Sequence, residues 1–196
     1  MKTIKILFAS FILSTSTMVA QDSNAQNFQS QQPIGHVIRA NVFDIAAGAI
    51  SLGYENVMSQ KSSLDVEIMY IGSSIQNRKY YRDNNLSANY VSLNTGYKYY
   101  LKRKENRPQG WYLRGGLITD YGNVKNTKGN EKKGNFYALG GDFKTGYQLI
   151  LPKFLKGFTA DFSLGAEYRR FFIKNLPASD SNVILPTLDI SIGYSF

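Results

Sequence analysis

Asp161, Glu167 and Arg169 occupy odd positions of a stretch whose even positions are Phe158, Ala160, Phe162, Leu164, Ala166 and Tyr168. Two carboxyls held on one face could share acid–base work. With Arg169 and Lys144 within reach, they could equally form a salt-bridge network. The wider set of candidates comprises Arg39, Glu55, Asp65, Glu67, Lys98, Arg114, Asp142, Lys144, Asp161, Glu167, Arg169 and Asp189. Each has an apolar or aromatic neighbour on at least one side. Nucleophilic chemistry finds little support, because it needs a base beside the nucleophile, usually Ser with His. The only histidine is His36, at the start of the first predicted strand, and it reads as an interfacial residue. There is no Cys, so disulfides and a lipid anchor on Cys are excluded. No His cluster or dense acidic loop argues for a metal, and no cofactor is expected. Gly115-Gly116 and Gly140-Gly141 fall inside predicted strands, where they relieve crowding rather than cradle phosphate.

Alternation with period 2 defines the elements that carry these residues, since strand side chains point to opposite faces in turn. The clearest case is Thr187–Phe196, where Leu188, Ile190, Ile192, Tyr194 and Phe196 oppose Thr187, Asp189, Ser191, Gly193 and Ser195. Eight such strands are predicted, at about 36–43, 49–57, 63–71, 87–101, 110–121, 135–150, 157–169 and 187–196. In the first, Ile38, Ala40 and Val42 are placed outward and Arg39 and Asn41 inward. Several reach the roughly 9–11 residues that a tilted transmembrane strand needs. The reading places long external loops at 72–86, 122–134 and 171–184, opposite short periplasmic turns. With that topology, Tyr54, Tyr97, Tyr99, Trp111, Tyr147, Phe158, Tyr194 and Phe196 form one aromatic girdle and Tyr70, Tyr121, Tyr137 and Tyr168 the other.

The predicted fold class is therefore all-β: an eight-stranded antiparallel up-and-down transmembrane β-barrel over 36–196. Residues 1–25 read as a cleavable signal peptide, cut after 20 or 25, and 26–35 as a flexible lead-in. Formal net charge is +9, and a cut after Ala25 removes Lys2, Lys5 and Asp22 to leave +8. In an exported chain this balance points to an anionic surface and not to nucleic acid. Arg78, Lys79 and Arg82 make one predicted external loop basic, and Lys125, Lys128, Lys132 and Lys133 another. Contact with outer-membrane lipid and lipopolysaccharide follows as an expectation.

Gly53-Tyr54-Glu55, Gly96-Tyr97-Lys98-Tyr99-Tyr100-Leu101, Gly146-Tyr147-Gln148, Gly157-Phe158 through Gly165-Ala166-Glu167-Tyr168, and Gly193-Tyr194-Ser195-Phe196 carry a family resemblance. Over residues 34–196 the chain resembles the small outer-membrane barrels of Bacteroidota grouped as domain of unknown function 3575. It is also similar in plan to OmpA/OmpX-type barrels. The resemblance implies the outer membrane of a Gram-negative bacterium, reached by Sec-type export, and no enzymatic activity. It implies that Tyr194 and Phe196 form the C-terminal signal read by the barrel-insertion machinery. The expected role is structural or surface-interacting, as a monomer without an open pore, because eight strands leave an interior just filled by side chains. Two alternatives are a lipid-modifying outer-membrane enzyme using His36 and a secreted lipocalin-like barrel.

Overall fold

The computed structural model describes residues 35–46, 48–59, 61–72, 86–101, 108–126, 133–151, 157–174 and 181–196. The signal peptide, most of the lead-in, and Arg78, Lys79, Arg82, Lys128 and Lys132 lie outside these residues. The strands are β1 (His36–Asn41), β2 (Ala49–Val57), β3 (Ser62–Ile71), β4 (Leu86–Tyr100), β5 (Gly110–Asn126), β6 (Lys133–Ile150), β7 (Phe158–Lys174) and β8 (Ser181–Ser195). A short helix, α1 (Val42–Ala46), follows β1. Each strand pairs antiparallel with the next, and β8 pairs with β1, closing the barrel. At the seam the His36 N–H donates to the Phe196 carbonyl at 3.1 Å, and the Phe196 N–H donates to the His36 carbonyl at 3.0 Å.

Register sets the shape. Stepping through paired residues from Ala40 round the wall gives Leu52, Ile68, Leu93, Thr119, Leu139, Arg170 and finally Asn182. Ala40 itself lies beside Ile192, ten positions further along β8. This stagger fixes the strand tilt of a small barrel.

Three boundaries differ from the sequence expectation. The first strand stops at Asn41 and does not reach Phe43. The Asn41 Oδ1 accepts the backbone N–H groups of Phe43 at 3.0 Å and Asp44 at 3.3 Å, the bonds of a helix N-cap. Val42, expected outward in a strand, therefore opens α1. Second, β5 runs on to Asn126 and β6 starts at Lys133, both within the predicted loop at 122–134, so Lys125 lies in β5 and Lys133 in β6 as direct cross-strand partners. Inward Val124 and Phe136 pack with Ala88, Tyr90 and Phe171, and this apolar contact extends the ladder. Third, β7 runs on to Lys174 and β8 starts at Ser181, both within the predicted loop at 171–184. Loop length thus does not separate the two ends of the barrel. Instead β4 to β8 overshoot at the end remote from the chain termini, here called the far end.

The β1–β8 ladder ends at Asn41 and Ser191, so, among the described residues, 181–190 of β8 have no strand partner on the β1 side, where α1 packs against β8 instead. Because His36 and Phe196 bond each other, even-numbered residues of β8 aim their N–H and C=O groups at the β1 side. Odd-numbered ones aim at β7, as the Ser195 N–H to the Gly157 carbonyl at 2.6 Å shows. Pro186 is even, so its missing N–H falls on the β1 side, beyond the end of that ladder, and costs the β7–β8 ladder nothing.

Candidate functional site: a charged lumen inside an apolar wall

Alternation sorts the strand residues into two populations. Outward positions carry Ile50, Leu52, Ile68, Leu117, Leu139, Phe143, Phe162, Leu164, Leu188, Ile190 and Ile192, all exposed, with Leu117 at 70 % and Phe143 at 62 %. The outward aromatics form two tiers. Tyr97, Tyr99, Trp111, Tyr194 and Phe196 lie towards the terminus end, and Tyr70, Tyr121, Tyr137 and Tyr168 towards the far end. On β6, Tyr147 and Tyr137 are ten residues apart. At ~3.3 Å per residue and a 35–45° tilt, that separates the tiers by about 25 Å.

The inward positions hold every one of the twelve charged residues singled out in the sequence. Near the terminus end, Lys98 Nζ donates to Glu55 Oε2 at 3.0 Å, Gln148 Oε1 at 3.0 Å and Asp161 Oδ2 at 2.9 Å. It also lies 4.5 Å from the centre of the Tyr112 ring. The Tyr100 hydroxyl at 2.7 Å and the Ser63 hydroxyl at 2.6 Å donate to the other Glu55 oxygen. The Tyr112 hydroxyl donates to Asp161 Oδ1 at 2.6 Å. One layer further in, Arg39 pairs with Asp65, reaches Glu55 at 3.4 Å and approaches Glu67 at 3.9 Å. Arg114 binds Asp65 at 2.7 Å, Asn94 at 2.8 Å, and Asp142. Lys144 joins Asp189 at 2.7 Å and Asp142 at 3.5 Å. Ser163 and Asn41 complete the shell of Asp189 at 3.1 and 3.2 Å. These two layers draw on all eight strands.

Arg169 stands apart, bonded to Asp120 at 2.6 Å and Glu167 at 3.1 Å. Asp120 is wholly buried and was absent from the set singled out in the sequence, although its parity with Arg114 placed it inward. Tyr100 and Tyr112 were also missed as network members. Tyr reads as apolar strand filler, and only its inward position makes the hydroxyl a lumen donor. Further towards the far end, inward Ala88, Val124 and Phe136 on the adjacent strands β4, β5 and β6 form an apolar cluster.

Unpaired charge is costly away from water, so these groups are tolerated because each has a partner. Room for the guanidinium groups comes from inward glycines. A Cβ at Gly96 would lie 2.6 Å from Arg114 Nε, and one at Gly53 would lie 3.0 Å from Arg39 Nε. The cavity bounded by Arg39, Asp65, Lys98, Lys144, Asp161 and Asp189 measures about 20 Å³, the space of a single water.

His36 is outward. Its Nδ1 is 2.7 Å from the Tyr54 hydroxyl, and its ring stacks on Tyr54 with a centroid separation of 5.7 Å. It is thus remote from the inward carboxylates. Among the described residues, no group of three or more His, Cys, Asp or Glu is placed to hold a metal.

An interior of paired charges within an apolar exterior defines an eight-stranded β-barrel turned inside out relative to a soluble ligand-binding one. The chain belongs to the family described as protein of unknown function DUF3575, whose model matches residues 8–183. No curated protein matches it. Among solved structures it is similar to the N-terminal β-barrel domain of Pseudomonas aeruginosa OprF, at 13 % identity and a TM-score of 0.45, covering 85 % of this chain and 100 % of that one. It is also similar to a major outer membrane protein from Thermus thermophilus, at 10 % identity and a TM-score of 0.40, covering 82 % and 98 %.

Proposed function

We propose that this protein is an integral outer-membrane β-barrel with a structural or surface-interacting role, no enzymatic activity and a sealed lumen. The observation that carries the reading is the inverted distribution of polarity. A continuous apolar wall about 25 Å tall between two aromatic tiers is what a hydrocarbon layer accommodates, and water does not. A secreted ligand-binding barrel would need an apolar cavity, and the interior here is filled by ion pairs. Two crosslinked layers of charge, which leave a cavity of only about 20 Å³ between them, support a lumen that does not conduct. Tyr194 and Phe196, exposed outward at the seam, are the residues we assign to recognition by the insertion machinery.

Membrane fractionation with heat-modifiable gel mobility tests the compartment. The expected result is recovery in the outer-membrane fraction with a mobility shift on boiling; recovery in the soluble periplasm overturns it. In planar bilayers the protein should give no steady conductance, and a stable open channel would refute the sealed lumen. Lipid turnover by purified protein, lost in His36→Ala, would favour the enzymatic alternative.

A further inference from the structure

We draw no further inference here: the strongest candidate, the edge of β8 from Ser181 to Ile190 beside α1, beyond the end of the β1–β8 ladder, carries nothing, because nothing in the structure shows what covers it.

Discussion

Lys98 Nζ and Asp161 Oδ2 meet at 2.9 Å inside the barrel, although they stand on β4 and β7. Glu55, from β2, shares the same ammonium at 3.0 Å. One cation therefore ties three strands across the lumen. Removing one member of a buried ionic cluster leaves the others uncompensated, which costs about 3–5 kcal/mol. Lys98→Met should therefore lower the unfolding free energy in micelles, read from urea titration, by that much. The triple variant Lys98→Met, Glu55→Gln, Asp161→Asn should recover at least half of the loss. A triple variant no more stable than the single one would refute the ionic account.

Two glycines on neighbouring strands provide an internal control on lumen crowding. At inward Gly96 a Cβ meets the Arg114 guanidinium, whereas at outward Gly115 nothing lies within 4 Å. Gly96→Ala should cost about 1–3 kcal/mol by displacing Arg114 from Asp65. Gly115→Ala should stay within about 0.5 kcal/mol of wild type. Equilibrium unfolding of the two variants side by side decides this, and equal effects would mean that Arg114 relaxes without loss.

Asn41 has two duties, one in each direction. Its Oδ1 caps α1, and its Nδ2 donates to Asp189. Asn41→Ala should lose about 1 kcal/mol for the cap. Asn41→Asp keeps the capping oxygen but sets a carboxylate against Asp189. It should be the more destabilising of the two, as measured by thermal unfolding. The opposite ranking would show that the cap, and not the lumen bond, dominates.

The end of the β1–β8 ladder at Ser191 predicts an odd–even contrast in the part of β8 that precedes it. Pro186→Ala should change stability by no more than about 1 kcal/mol, since no ladder bond depends on that position. Leu185→Pro removes an N–H directed at β7 and strands the carbonyl it served, at a cost of about 1–3 kcal/mol. Heat-modifiable mobility after refolding reports both. A Pro186→Ala gain as large as the Leu185→Pro loss would indicate that residue 186 bonds a partner on the β1 side.

Period-2 alternation determined much of this protein without coordinates. It is a local property of the chain, so Thr187–Phe196 and Phe158–Arg169 reveal their two faces in sequence alone. It likewise separated the twelve charged residues from their apolar neighbours, and with strand count and paired aromatics it defined the class of barrel. Alternation is silent, however, on where a strand stops when both faces carry polar residues. Lys125, Lys133 and Lys174 look like loop residues, and only packing of Val124, Phe136 and Phe171 across β4 to β7 keeps their strands running. Nor does alternation foresee that Asn41 ends β1, because the capping bonds form only once the chain turns.

Partner choice within the lumen was likewise a tertiary decision. Lys98 meets Asp161 across 63 residues and Asn41 meets Asp189 across 148, separations that no local pattern encodes. The ten-residue stagger between β1 and β8 fixes which inward positions share a layer, and hence which charges neutralise one another. The sequence determined which residues face inward, because side-chain direction follows from the backbone of each strand. The closed barrel decided which of them touch, because register is a relation between strands and belongs to no one of them.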